Sequence, residues 1–131
     1  MDKKEPQKAK LSVLVVEDHF INQELMKEML DRLNCSVDTA QNGQEALHQI
    51  DVKNYDIIFM DLQMPEMDGF EATREIRKKG HGKSSVPIIA LTANAMQGDR
   101  GKCLEAGMDD YLSKPFEVRD IEAILNKYFP H

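Results

Sequence analysis

The sequence predicts an α/β fold of the doubly wound type, in which one parallel sheet carries helices on both faces. Short apolar runs alternate about five times with amphipathic segments of helical length along the 131 residues. The runs are continuously hydrophobic, which is typical of parallel strands that are buried on both faces. A chain of this length forms a single domain that needs no metal or disulfide for stability. We therefore expect a three-layer sandwich.

The first half of the chain supplies two strands and two helices. A strand over Leu11–Val16 precedes a segment whose apolar residues recur at helical spacing, and Asn34 marks the predicted end of that helix. These apolar residues are Ile21, Leu25, Met26, Met29, Leu30 and Leu33. A short strand over residues 36–40 and a helix over residues 43–50 follow.

The second half supplies three strands and three helices. The helix before Gly107 is predicted to be weak, whereas the last helix carries a clear apolar stripe of Val118, Ile121, Leu125 and Tyr128. The other predicted elements are strands at residues 57–60, 87–92 and 111–112, helices at residues 70–78 and 96–105, and a mobile connection at residues 80–85.

The composition restricts the functions that fit. A net charge of −6 gives no broad positive field, so we expect no direct nucleic-acid binding. The two cysteines, Cys35 and Cys103, form no C-x-x-C motif, and a reduced cytoplasmic chain accounts for them. No apolar stretch has the length of a membrane span, so we expect no direct membrane contact.

Residues 1–10 are polar and lysine-rich and are interpreted as a flexible tail or linker, which leaves a domain over residues 11–129.

Reactive polar residues stand at the carboxyl ends of four predicted strands. They are Glu17, Asp18, Asp61, Thr92 and Lys114. In open parallel sheets, ligands bind at this end of the strands, where the strand order reverses. Each residue alone has an ordinary explanation as a turn residue, a strand former or a surface charge. Their joint placement instead predicts one site.

The three carboxylates of this site predict a bound cation. Two carboxylates about 4 Å apart repel each other by ~4 kcal/mol at an effective dielectric constant of about 20, so Glu17, Asp18 and Asp61 need charge compensation. Oxygen ligands with room for water suit Mg²⁺ better than Ca²⁺ or zinc, with Mn²⁺ as the expected substitute. His19 is the one histidine near the site in the sequence, and we interpret it as a surface residue.

A fixed carboxylate beside a cation and a lysine predicts phosphoryl transfer to that carboxylate. Asp61 is the central candidate for the nucleophile because it follows the most hydrophobic strand and is held by a rigid element. Lys114 and the metal would share the charge of an incoming phosphoryl group. Thr92 would offer its hydroxyl to a phosphoryl oxygen.

Four motifs, in the right order, resemble those of the receiver domain of two-component response regulators. They are Glu17-Asp18, Met60-Asp61 with Met64-Pro65 and Met67-Asp68-Gly69, Ala90-Leu91-Thr92-Ala93, and Lys114-Pro115-Phe116. The resemblance runs from Leu11 to Tyr128 and implies a flavodoxin-like sheet with the strand order 2-1-3-4-5. Residues 17–23 and 90–96 are most similar to receivers of hybrid sensor histidine kinases, and a stand-alone single-domain response regulator is the alternative.

The resemblance implies a role for each acidic residue. Asp61 would accept phosphate from a phosphohistidine. Mg²⁺ would bind Asp18, Asp61 and the backbone carbonyl of Gln63, with Glu17 contributing through water. The commonest family pattern has Asp at the position of Glu17.

The resemblance also implies a switch and a set of partners. Lys114 would pair with the phosphate, Thr92 would sense it, and Tyr111 would change rotamer in response. The family commonly has a cis peptide at the position of Lys114-Pro115. The expected partners are a histidine kinase, a histidine phosphotransfer domain or both. The chain itself is expected to be a monomer or weak dimer in the cytoplasm, either free or as the cytoplasmic domain of a membrane-anchored kinase.

Two segments are candidates for partner binding and for switching. Phe20 and Ile21 follow the acidic pair and either cap the core or anchor a partner's helical bundle. Residues 96–105 carry Gly98 and Gly101 and have a thin apolar stripe, so we expect this helix to be the mobile element that reports phosphorylation.

Other functions have weaker sequence support. An aspartate-nucleophile phosphatase of the haloacid-dehalogenase type needs a second acid two residues after the nucleophile, and that position is Gln63. A flavin-binding module of flavodoxin type lacks its Ser/Thr-rich phosphate loop here, because Glu17-Asp18-His19 follows the first strand. Gly82-Lys83-Ser84 imitates the end of a P-loop, but Arg77 stands where the first glycine belongs.

Overall fold

The structure is a computed structural model that describes residues 10–64, 67–79, 85–93 and 100–130. Within these ranges, five strands and five helices alternate along the chain. The strands are β1 (Leu11–Val16), β2 (Cys35–Ala40), β3 (Ile57–Asp61), β4 (Ile88–Thr92) and β5 (Asp110–Ser113). The helices are α1 (Phe20–Arg32), α2 (Gly43–Val52), α3 (Gly69–Lys78), α4 (Arg100–Ala106) and α5 (Val118–Tyr128).

The strands form one parallel sheet in the order β2-β1-β3-β4-β5. Apolar side chains alternate between the two faces of β1 and β3, so each face has its own core. The core on one face is closed by α1 and α5, and the core on the other face by α2, α3 and α4. The predicted three-layer doubly wound sandwich and its strand order are confirmed.

Local sequence signals set the helix boundaries. Asn34 adopts a positive φ of 64° just after α1, a conformation that asparagine tolerates better than most residues. The side chains of Asn42 and Asp68 cap α2 and α3 by accepting backbone N–H groups three residues on, at 2.8 and 2.9 Å. Glu117 and Asp120 form a reciprocal capping box at the start of α5. The cap at Asp68 matters for function because it fixes the beginning of α3 beside Asp61.

The prediction for the buried face of α1 was partly wrong. Ile21 and Leu25 are 70% and 50% exposed, and the residues of α1 that are buried are Gln23, Met26 and Leu30. These three positions are three or four residues apart, so the face toward the sheet is narrower than the apolar pattern indicated. Phe20 is also 70% exposed, which rules out the core-capping interpretation.

Arg77 of α3 joins three segments at the amino ends of the strands. Its guanidinium donates to the carbonyl of Val86 at 2.6 Å and to that of Gly107 at 2.8 Å. It also donates to Oδ2 of Asp109 at 2.8 Å, and the same carboxylate accepts the backbone N–H of Ile88. The C-terminal end of α4 is therefore tied to α3 and to the start of β4.

Several predictions fall on segments outside the described ranges. They are the tail at residues 1–9, the connection at residues 80–84, and residues 94–99, which include the first part of the predicted helix over 96–105. Among the described helices, none is long and apolar enough to cross a membrane.

Candidate functional site

The carboxyl ends of β1 and β3 bring three carboxylates together. The two strands are neighbours with Val16 opposite Met60, so the residues that follow them meet at one edge of the sheet. Glu17, Asp18 and Asp61 each offer an oxygen within 4.8 Å of the others. Glu17 and Asp61 are buried, and the predicted clustering of the three acids is confirmed.

Lys114 reaches this cluster from the end of β5. Its Nζ atom lies 3.7 Å from Oε1 of Glu17 and 3.6 Å from Oδ1 of Asp61. The lysine backbone N–H donates to the carbonyl of Thr92 at 2.8 Å, and the Lys114-Pro115 peptide is cis, as the resemblance implied. One ammonium group thus faces two of the three carboxylates and can balance only one negative charge.

Backbone groups hold Asp61 from the side of α3. The N–H of Gln63 donates to Oδ1 of Asp61 at 3.1 Å. A Cβ atom at Gly69 would lie 2.4 Å from the carbonyl oxygen of Asp61, so only glycine allows α3 to begin so close to this residue. The aspartate is therefore fixed by both its own strand and the next helix.

The charges of the cluster are incompletely satisfied by the chain. Burial, and then the negative charge of Asp61, raise the pKa of Glu17, while the His19 N–H and Lys114 oppose that shift. Oδ1 of Asp18 is buried and has no hydrogen-bond partner among the residues that the structure describes. An unpaired buried carboxylate oxygen beside two further carboxylates fits a hard divalent cation, which Asp18, Asp61 and Glu17 could hold.

Thr92 and Tyr111 lie on the two strands beyond Asp61. Thr92 is the last residue of β4, is buried, and is paired with Ser113 of β5. Tyr111 is paired with Ala90 and is partly buried against the core beneath α2, α3 and α4. Thr92 therefore stands at the same edge of the sheet as Asp61, and the rotamer change predicted for Tyr111 stays a prediction.

One buried polar residue beside the site was missed by the sequence analysis. The Nε2 atom of Gln23 donates to the backbone carbonyl of Glu17 at 2.6 Å. Its signal was present in the pattern, because residues 23, 26 and 30 form a helical stripe in which one position is an amide. His19 is exposed, as predicted.

Residues 13–126 match the family model of the response regulator receiver domain. The match covers most of the chain and includes every residue of the candidate site. The sheet order and the acidic cluster agree with this assignment. The chain belongs to the receiver domain family.

The relatives point to signalling kinases. The chain is 43% identical over 132 residues to hybrid signal transduction histidine kinase G of Dictyostelium discoideum, covering 99% of this chain and 4% of that kinase. It is 45% identical to the crystallised receiver domain of sensor histidine kinase PA1611 from Pseudomonas aeruginosa PAO1, which has a magnesium ion in its active site cleft. That alignment has a TM-score of 0.85 and covers 92% of this chain and 98% of that one.

A third relative was solved with its partner. It belongs to the co-crystal structure of the Saccharomyces cerevisiae histidine phosphotransfer signaling protein Ypd1 and the receiver domain of its downstream response regulator Ssk1. The matched chain is 36% identical, with a TM-score of 0.82, covering 91% of this chain and 88% of that one. The chain spans between 4% and 16% of the length of the first three curated relatives, all of them histidine kinases.

Proposed function

We propose that this receiver domain accepts a phosphoryl group from a phosphohistidine onto Asp61. The observation that carries the proposal is the environment of that side chain. Asp61 ends a fully buried strand, lies beside two further carboxylates, and has the ammonium of Lys114 3.6 Å from its Oδ1. A rigid nucleophile between a cation site and a lysine is the arrangement that phosphoryl transfer requires.

We assign Mg²⁺ to the acidic cluster, with Mn²⁺ as its substitute. Asp18, Asp61 and the backbone carbonyl of Gln63 would be its ligands, and Glu17 would contribute through water. Two observations support this assignment: Oδ1 of Asp18 has no hydrogen-bond partner among the described residues, and the PA1611 receiver holds a magnesium ion. When bound, Mg²⁺ offsets the charge of the carboxylates and of the phosphoryl oxygens.

The chain's own residues then divide the chemistry. A carboxylate oxygen of Asp61 attacks phosphorus, an O–P bond forms, and the N–P bond to the donor imidazole breaks with its electron pair returning to nitrogen. Lys114 neutralises one phosphoryl oxygen, and the hydroxyl of Thr92 donates to another. The domain promotes its own phosphorylation and is not a conventional enzyme.

The conformational response would run from Thr92 to Tyr111. We propose that Thr92 moves toward the phosphoryl group and leaves space for Tyr111 to turn inward beneath α4. Tyr111 already packs against the core that includes Cys103 of α4, so a change at its ring reaches that helix directly. Residues 96–105 would report the change.

The partner surface would be the exposed apolar part of α1. Phe20, Ile21 and Leu25 are exposed on α1, which begins two residues after Asp18. Leu25 also lines a cleft of about 240 Å³ that opens beside Lys114, and the apolar lining of this cleft includes Met26, Met29, Pro115 and Phe116. We propose that a histidine kinase or a histidine phosphotransfer domain covers this surface, because a donor histidine above Asp61 must bring its own helix close to α1.

The parent protein would be a hybrid sensor histidine kinase in which this domain is the C-terminal receiver. The kinases among its relatives support that origin, and a stand-alone response regulator is the alternative. We propose a monomer or weak dimer without direct contact to nucleic acid or membrane. The cytoplasm is its proposed location, because a phosphohistidine donor is charged there from ATP.

Labelling experiments test this function. The wild-type chain should take label from a phosphohistidyl donor, and from acetyl phosphate, only with Mg²⁺ or Mn²⁺ present. Asp61→Asn should take none, whereas the control Asp31→Asn, an exposed aspartate on α1, should label like wild type. Undiminished labelling of Asp61→Asn would refute the assignment. Sustained release of phosphate from simple phosphomonoesters would instead favour the phosphatase alternative.

A further inference from the structure

Buried polar side chains are few in this domain, and one of them has no role so far. In the part of the chain that the structure describes, the buried polar or charged residues are Glu17, Gln23, Asp61, Thr73 and Thr92. Glu17, Asp61 and Thr92 belong to the candidate site. The Thr73 hydroxyl donates to the carbonyl of Gly69 within α3. Gln23 is left, 7% exposed on the face of α1 that otherwise buries Met26 and Leu30.

The side chain of Gln23 is committed to one backbone atom. Its Nε2 donates at 2.6 Å to the carbonyl oxygen of Glu17, which is part of the peptide joining Glu17 to Asp18. A buried amide is retained at such a position only when its hydrogen bond compensates for desolvation. The bond therefore sets the orientation of the peptide from which the Asp18 side chain projects.

The turn between β1 and α1 has few other restraints. The cap residue of α1, His19, makes no side-chain capping bond, and its N–H instead donates to Oε2 of Glu17 at 3.2 Å. The N–H of Glu17 donates to the carbonyl of Ala40 at 3.0 Å. Gln23 thus holds the turn from the side of α1. The capping position there is His19, and not one of the residues Ser, Thr, Asp or Asn that commonly cap a helix.

We infer that Gln23 is a positioning residue for the metal ligand Asp18, an inference that rests on the proposed function. Oδ1 of Asp18 is buried without a hydrogen-bond partner among the described residues, so no bond at that atom aims it at the cluster. Its direction comes from the backbone that Gln23 fixes. Outer-shell groups that orient a ligand typically contribute about 10- to 100-fold to metal affinity.

Gln23→Met tests the inference, because methionine keeps the length and the apolar packing and removes the donor. We expect the Kd of the full chain for Mg²⁺, measured by calorimetry, to rise by about tenfold or more. Labelling by acetyl phosphate should slow at low Mg²⁺ and recover to within about twofold at saturating Mg²⁺, since Gln23 touches neither Asp61 nor the phosphoryl group. A weaker Kd for Mg²⁺ together with a normal labelling rate at saturating Mg²⁺ would show that Gln23 positions a ligand. A general loss of structure would lower both.

Gln49→Met is the matched control. The Nε2 of Gln49 donates to the carbonyl of Thr39 at 2.8 Å, and its Oε1 accepts the Tyr55 hydroxyl at 3.0 Å, so neither bond touches the three acids. This variant should bind Mg²⁺ like wild type at a comparable cost in thermal stability. Gln23→Asn, whose amide is one methylene too short, is the second variant if Gln23→Met does not fold, and it should weaken Mg²⁺ binding in the same way.

Two results would overturn the inference and leave the proposed function intact. One is wild-type Mg²⁺ affinity in a folded Gln23 variant, and the other is an equal loss of affinity in Gln49→Met. Failure of the wild-type chain to bind Mg²⁺ or to label would instead refute the proposed function.

Discussion

The Nζ atom of Lys114 lies 3.6 Å from Oδ1 of Asp61, so the chain supplies its own cation beside the proposed nucleophile. The lysine side chain is 34% exposed and lies at a similar distance from Glu17. Both contacts are longer than a direct hydrogen bond. An ammonium group held this loosely can turn from the carboxylates toward an incoming phosphoryl oxygen without breaking a strong bond.

Lys114→Met should therefore separate metal binding from phosphoryl transfer. Loss of the ammonium removes a positive charge that competes with the metal, so Mg²⁺ affinity by calorimetry should stay equal or rise. The rate of labelling by acetyl phosphate should fall by about 10²-fold, because a charge that develops on the phosphoryl oxygens loses its fixed partner. Lys53→Met, which removes an exposed ion pair with Asp38, should change neither quantity. Parallel loss of affinity and rate in Lys114→Met would contradict this division of roles.

The sequence predicted the residues of the site better than the contacts that hold them. Asp61, Thr92 and Lys114 could be found because each ends an apolar run, and parallel strands present their carboxyl ends at one edge. The contacts of Gln23 and Arg77 could not be predicted, because each side chain donates to a backbone carbonyl in another segment. Chain periodicity carries no information about such partners.

The first turn of α1 shows the same limit. Periodicity placed Ile21 on the buried face, yet that side chain is 70% exposed. An apolar residue that stays exposed and one that packs in the core look alike in sequence. Only the packing of α1 on the sheet tells them apart.

Arg77→Lys should lower the stability of the domain. Lysine can replace only one of the contacts that the guanidinium makes with the carbonyls of Val86 and Gly107 and the carboxylate of Asp109, so the other acceptors lose their donors. We expect the free energy of unfolding, measured in urea, to fall by about 2–4 kcal/mol. Arg74→Lys, at an exposed position of the same helix, should lie within about 0.5 kcal/mol of wild type. An equal effect of the two changes would refute the role of Arg77.

Stability should fall at alkaline pH partly through Tyr128. Burial, and then the negative charges of Asp110 and Asp109, raise the pKa of Tyr128 to about 12. The unfolded chain ionises this phenol near pH 10, so its contribution is fully present below about pH 10 and is lost as the pH rises toward about 12. In Tyr128→Phe, the free energy of unfolding in urea should therefore fall less steeply between about pH 10 and about pH 12. An unchanged slope in the variant would show that Tyr128 does not contribute.

Phe20→Ala should weaken binding of the phosphoryl donor while the chemistry stays intact. Phe20 is 70% exposed, so truncation removes little core packing and thermal stability should hardly change. Labelling by acetyl phosphate should be unaffected. The Kd for a cognate phosphotransfer domain should rise by about tenfold or more.

Val52→Ala is the matched control for the partner surface, because Val52 is 72% exposed at the end of α2. It should leave both reactions unchanged. If Phe20→Ala slowed the two phosphoryl donors equally, α1 would act on the site itself and the surface assignment would be wrong.

Gly101→Ala should stiffen α4, the helix that we propose to report phosphorylation. A Cβ atom at Gly101 meets nothing within 4 Å, so alanine fits in α4 and favours the helix by about 1 kcal/mol. Amide exchange across Arg100–Ala106 should be fast in the wild-type chain and slower with beryllium fluoride and Mg²⁺ as a phosphoryl mimic. In Gly101→Ala it should be slow without the mimic, and the response to the mimic should shrink.

Gly107→Ala gives the opposite control at the other end of α4. Gly107 has a φ of +104°, and a Cβ there would lie 3.0 Å from Cγ of Arg77, so alanine strains the backbone and disturbs the Arg77 contacts. Exchange across α4 should accelerate in this variant, which shows that the assay responds in both directions.

The switch from Thr92 through Tyr111 requires α4 to be loosely held before phosphorylation and more tightly held afterwards. Slow exchange in the free wild-type chain, or exchange that the mimic leaves unchanged, would refute it.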